Sequence, residues 1–182
     1  DPSSDEKPAP KPSYEINSTP CVMTASGGKK IYSPPSGLTA CTYTGNLPES
    51  ANDNVVIEGT VYVTGSVSSS GNTTFESSGT LSKLIVEGNV GFSGNASATP
   101  LTSKFMVVSR NGNVTISGNG SVYGIVFQEN PSKSITINGS GNTPVGIFGA
   151  IVAAGTVTLN ANKATVVRDM TLSSLNLSYD PN

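Results

Sequence analysis

Few side chains in this 182-residue chain can do chemistry, and their types and spacing set its limits. Histidine is absent, which removes Ser/His/Asp and Cys/His relays and any imidazole metal site. Two cysteines, Cys21 and Cys41, share one segment near the N-terminus. They read either as unrelated thiols or as a local disulfide. Their Ser/Thr/Pro-rich surroundings have an extracellular character, so a disulfide is expected, contributing about 3 kcal/mol by restricting the unfolded chain. Two cysteines without histidine make a poor metal site, and neither metal nor cofactor is expected.

Carboxylates are the remaining candidates. Within the repeats they are Glu58, Glu76, Glu87, Glu129, Asp169 and Asp180. Glu58 and Glu87 hold equivalent positions in successive motifs, where a paired-carboxylate polysaccharide hydrolase would place them. The next motif has Asn111 there, so two exposed glutamates at a coil edge are the simpler reading. Calcium-binding roll repeats need a regularly placed Asp after glycine, and Asn, Ser or Thr stands there instead. GNGSVYG (118–124) and GSGNTPVG (139–146) match phosphate-binding loops only superficially, because no helix follows either one. Seven Asn-X-Ser/Thr sequons occur, a number expected by chance in a chain this rich in Asn, Ser and Thr.

The elements that must position these groups repeat. GTVYVTGS (59–66), GNVGFSGN (88–95), GNVTISGN (112–119), KSITINGS (133–140) and GTVTLNAN (155–162) share one pattern, with starts 29, 24, 21 and 22 residues apart. Strict apolar alternation predicts strands with one buried face. The inward pairs are Val61/Val63, Val90/Phe92, Val114/Ile116, Ile135/Ile137 and Val157/Leu159. More continuously apolar runs precede the later motifs: LIVE (84–87), MVVS (106–109), GIVF (124–127) and AIVA (150–153). Such runs suit a face covered by something, or a strand at a corner. Asn72, Asn95, Asn119, Asn142 and Asn162 close the units, and Asn tolerates the left-handed backbone of sharp corners. Stacked, these side chains would form an amide ladder.

These features predict an all-β, single-stranded parallel β-helix, a β-solenoid of about five to six coils over 54–182. Variable coil lengths lean towards a right-handed coil. An antiparallel sandwich also has many short strands, but does not explain one motif recurring in phase. Residues 1–13, rich in proline and charge, read as a flexible linker. Residues 14–53 read as a small disulfide-closed N-terminal cap that protects the first strand edge. Leu175, Leu177 and Tyr179 alternate before Asp180-Pro181 and read as the last strand.

Composition limits the partners. Charged residues make up 12% of the chain and the net charge is −2. A nucleic-acid or anionic-membrane binder would carry a basic surplus, so DNA is a minor candidate. The outward side chains of the main strands form an uncharged array: Thr60/Tyr62/Thr64, Asn89/Gly91/Ser93, Asn113/Thr115/Ser117, Ser134/Thr136/Asn138 and Thr156/Thr158/Asn160. Such a face is either solvated or suited to carbohydrate or an abiotic surface. Tyr62 and Gly91 interrupt it, which argues against ice. Among the variable segments 96–104, 128–134 and 140–148, Phe127, Gln128 and Glu129 beside Asn130-Pro131 are candidate loop contacts.

GNVTISGNGSVYGIV, SITINGSGNTPVGIFGAIVAAGTVTLNAN and the terminal LNLSYDPN resemble the C-terminal repeat domain of PilX-type pilus-assembly proteins, which accompany type IV pili. The resemblance spans roughly 54–182. It implies a bacterial, non-enzymatic minor-pilin-associated domain at the cell surface or a pilus tip, acting in adhesion or ligand contact. Other pilus subunits or cell-surface components would be its partners. Members begin with an apolar anchoring helix, so a membrane or pilus connection is expected here only through a segment ahead of Asp1. The alternatives are a secreted polysaccharide-active β-helix enzyme and a pilus-tip module for extracellular DNA.

Overall fold

The computed structural model describes residues 12–50, 52–94, 97–98, 104–119, 121–139, 145–160 and 164–167. Within them the chain is all-β and coils into a β-solenoid of about five turns, its strands stacked in parallel. Short alternating strands cannot bury their apolar face alone, so each coil is stabilised by its neighbours.

One sheet has ten strands: β1 (Val22–Ser26), β2 (Lys29–Ser33), β3 (Ala40–Tyr43), β4 (Asn54–Val63), β6 (Thr74–Val86), β8 (Ser97–Ala98), β9 (Lys104–Ser109), β11 (Ser121–Gln128), β13 (Val145–Ala153) and β15 (Ala164–Val167). The other has five: β5 (Val67–Ser69), β7 (Val90–Phe92), β10 (Val114–Gly118), β12 (Ser134–Gly139) and β14 (Thr156–Leu159). Every pairing is parallel except the β1–β2 hairpin, which is antiparallel.

In the five-stranded sheet Val67, Val90, Val114, Ile135 and Val157 form one column. Ser69, Phe92, Ile116, Ile137 and Leu159 form the next. Successive members are 23, 24, 21 and 22 residues apart. The four later repeat units stack as their alternation predicts. The first does not: Val61 and Val63 align with Leu84 and Val86 in the ten-stranded sheet. Residues 67–69 provide the first strand of this stack instead. Apolar alternation separates inside from outside but is the same in both sheets, so the corner at Gly65 decides which sheet receives the strand.

The ten-stranded sheet sends Val61, Leu84, Val107, Val126 and Ile151 inward as one column. Between the sheets, Phe75 meets Phe92 edge-to-face at 5.6 Å. Most members of both inner columns are fully buried, each worth roughly 1.5–3 kcal/mol of transfer free energy. At the last rung Val157 and Leu159 remain 43% and 51% exposed.

The corners differ from expectation. Asn52, Gly71, Gly94 and Gly118 take φ of 67, 68, 68 and 67°, so among the described residues asparagine carries the left-handed turn once and glycine carries it at the later corners. Asn95, Asn142 and Asn162 lie outside the described residues. A side-chain ladder does form, at the corner entering the five-stranded sheet. The Ser66 amide donates to Asn46 Oδ1 at 2.7 Å, and Asn89 N to Ser66 Oγ at 3.1 Å. Asn113 N donates to Asn89 Oδ1 at 2.8 Å, and Ser134 N to Asn113 Oδ1 at 3.0 Å.

Parallel stacking also begins earlier than position 54. Both β2 and β3 pair in parallel with β4, and Leu47 bridges Val67. The expected cap thus contributes a coil, with the β1 hairpin at its outer edge. Cys21 and Cys41 form a disulfide that ties the approach to β1 against β3. The end of the expected linker is packed: Pro12 is buried, and the Ser13 carbonyl accepts a hydrogen bond from Lys83 Nζ at 2.6 Å. Residues 1–11 and the strand expected at Leu175, Leu177 and Tyr179 lie outside the described residues.

Candidate functional site

Two surfaces carry the polar side chains that the sequence singles out. The first is the outer face of the five-stranded sheet. Alternation about the buried columns turns Ser68, Gly91, Thr115, Thr136 and Thr158 outward in register. Asn113 and Ser117 on one rung flank Thr115, and Ser117 aligns with Asn138. The Asn160 amide donates to Asn138 Oδ1 at 3.2 Å, which extends that row. Every outward position from Ser66 to Asn160 on these rungs is Ser, Thr, Asn or Gly. Asn113, Thr115, Ser117, Thr136, Asn138, Thr158 and Asn160 therefore share one uncharged face. Tyr62 and Thr64 do not belong to it, because β4 lies in the other sheet.

Gly91 leaves a notch in this face. It opens into a cavity of about 270 Å³ lined by Val67, Ser68, Asn89, Val90, Gly91, Asn113 and Thr115. No lining residue is charged.

The second surface is the flank of the ten-stranded sheet. Tyr62, Ile85, Val108, Phe127 and Val152 form an outward column. Ile85, Met106, Val108 and Phe127 are nevertheless buried, with Tyr14 and Tyr62 packed against them. Phe127 and Gln128 are thus strand residues of β11, not loop contacts. Phe127 lies beneath the covered flank, whereas Gln128 points inward, in register with Ser109 and Ala153. An apolar run that continues through both faces of a strand signals this covering, but it does not name the cover.

Beside that column stand Glu87, Arg110 and Glu129. Arg110 NH1 meets Glu87 Oε2 at 2.9 Å, and Arg110 Nε lies 3.7 Å from Glu129 Oε2. Tyr62 donates to Glu87 Oε2 at 2.7 Å, Asn111 to Glu87 Oε1 at 2.5 Å, and Tyr14 to Glu129 Oε1 at 2.7 Å. The Tyr62 hydroxyl, with the Asn111 amide and Arg110, holds the Glu87 carboxyl below its ordinary range. Burial, then the Glu129 carboxylate, pushes the Tyr14 phenol well above its ordinary value. A recess of about 310 Å³ lies alongside, lined by Arg110, Asn111, Glu129, Asn130 and Pro131.

Glu58 and Glu87 are not neighbours. Glu58 aligns with Ser78 ahead of a register shift, whereas Glu87 continues from the aligned Val63–Val86 pair and bonds to the next coil. Among the described residues no group of three or more His, Cys, Asp or Glu could hold a metal ion. Comparison with protein-family models, curated proteins and solved structures finds no match.

Proposed function

We propose that this chain is an extracellular, non-enzymatic display and binding module, whose rigid solenoid presents the outer face of the five-stranded sheet to neutral glycans. One observation carries this reading: the outward positions of five successive parallel rungs hold only hydroxyls, amides and glycine in register. Repetition at about 4.8 Å suits the hydroxyl-rich surface of a saccharide. The disulfide favours an oxidising compartment, in keeping with display on the cell surface or a pilus. Glu87 is ionised and tied to Tyr62, Arg110 and Asn111, so it is poorly suited to act as a proton donor. The ion pairs of Lys29, Lys30 and Arg110 likewise favour an uncharged ligand over DNA.

A glycan array probed with the folded chain tests the ligand class. Binding to neutral oligosaccharides that persists at high salt is the expected result. Binding only to nucleic acid, lost steeply as salt rises, would overturn it. Immunogold labelling of the producing cells tests the location: label on filaments or envelope supports surface display, and label confined to the cytoplasm removes it.

A further inference from the structure

Gly91 is the one glycine of described surroundings that the backbone does not require. Gly71, Gly94 and Gly118 have left-handed φ near 68°. A Cβ on Gly65, Gly88, Gly112 or Gly155 would approach neighbouring atoms to 2.2, 2.5, 2.2 and 2.0 Å. Gly91 has no left-handed φ, and a Cβ there would meet nothing closer than Ser68 Oγ at 3.8 Å. It occupies the centre of a strand, where glycine is disfavoured because it has no side chain to pack. Its neighbours in the outward column are Ser68 and Thr115. A serine or threonine would fit the fold and complete the row.

We infer that the side chain is omitted at Gly91 to form a subsite for one neutral sugar residue. The inference rests on the glycan-binding reading above and gives it a location. The cavity of about 270 Å³ is smaller than a drug-sized pocket, which suits a single ring. Asn89 and Asn113 spend their Oδ1 atoms on the amides of Asn113 and Ser134. Both residues are exposed, so their Nδ2 groups are available as donors one rung apart, about 4.8 Å. The hydroxyls of Ser68 and Thr115 flank the gap along the strand stack. The Gly91 backbone forms a flat floor for the C–H face of a ring. With no charge in the lining, hydroxyl and acetamido oxygens are better matched than carboxylate, sulfate or ammonium groups.

The test is calorimetric titration of the full chain with neutral disaccharides of glucose, galactose, mannose and N-acetylglucosamine. Wild type is compared with Gly91→Thr, which fills the notch, and with Asn89→Ser, which replaces the Nδ2 amide by a shorter hydroxyl but keeps a residue already present in that row at Ser66 and Ser134. At least tenfold weaker binding by Gly91→Thr, with an unchanged melting temperature, and several-fold weaker binding by Asn89→Ser are the expected results. Equal affinity of wild type and both variants would overturn the subsite while leaving the glycan-binding face intact. Unfolding of Gly91→Thr would overturn it too, by showing that the fold itself needs glycine there. No binding of any sugar by wild type would overturn both readings.

Discussion

The Tyr14 phenol donates a 2.7 Å hydrogen bond to Oε1 of Glu129 across 115 residues of sequence. The same ring rests against the buried group formed by Ile85, Met106, Val108 and Phe127. The segment read as a cap thus begins as a strap on the solenoid flank. Tyr14→Phe keeps the packing and loses the bond, and should cost about 1 kcal/mol. Tyr14→Ala loses both and should cost roughly 2 kcal/mol or more. Urea unfolding of the two variants separates the contributions; equal stability of Tyr14→Phe and wild type would remove the hydrogen bond's share.

Acid should weaken the fold partly through Glu87. Its folded pKa is depressed, first by the Tyr62 hydrogen bond. The resulting stabilisation is complete above the unfolded value of about 4.3 and is lost as pH falls through the folded value. Glu87→Gln should therefore be less stable than wild type near neutrality and lose less between pH 5 and 3, roughly the window around that unfolded value. Parallel stability curves for the two proteins would contradict this assignment.

Reduction of Cys21–Cys41 opens a constraint that spans 20 residues. Replacing both with alanine should cost about 3 kcal/mol by freeing the unfolded chain. The urea midpoint of wild type should fall in reductant, and that of the double variant should not move.

Two glycines on neighbouring coils should respond in opposite ways to alanine. A Cβ on Gly112 would lie 2.2 Å from the Gly88 carbonyl carbon, so Gly112→Ala should lose about 3 kcal/mol or fail to fold. Gly91→Ala should stay within about 0.5 kcal/mol of wild type. Thermal melts monitored by circular dichroism distinguish the two.

Gln128 is fully buried in the core, and among the described residues its Oε1 has no hydrogen-bond partner. Its Nε2 reaches the Gly112 carbonyl only at 3.5 Å, and that oxygen also accepts from Ser109 Oγ at 3.0 Å. Gln128→Met retains the volume and removes the unpaired group, so it should stabilise by about 1 kcal/mol. A lower melting temperature would show that the amide is satisfied in solution.

The buried columns were legible because period-two alternation reports which side chains turn inward. Val90/Phe92, Val114/Ile116, Ile135/Ile137 and Val157/Leu159 stack as that period requires, although the last pair stays exposed. Most of the uncharged face followed from the positions between them. Alternation alone places Tyr62 and Thr64 on that face too, but Tyr62 lies on a strand of the other sheet and Thr64 directly follows it. Phe127 and Gln128 read as loop contacts because they precede Asn130-Pro131, yet both sides of their strand are covered.

By itself the amino-acid sequence determined a parallel coil, its inward columns, its disulfide and the absence of charge from one face. Those properties follow from local periodicity and side-chain chemistry. Only the tertiary structure decided which sheet receives each strand, where the left-handed corners fall, and that Tyr14 covers the flank beside Glu129. These depend on where each coil closes and on contacts between residues far apart in the chain, which no local period encodes.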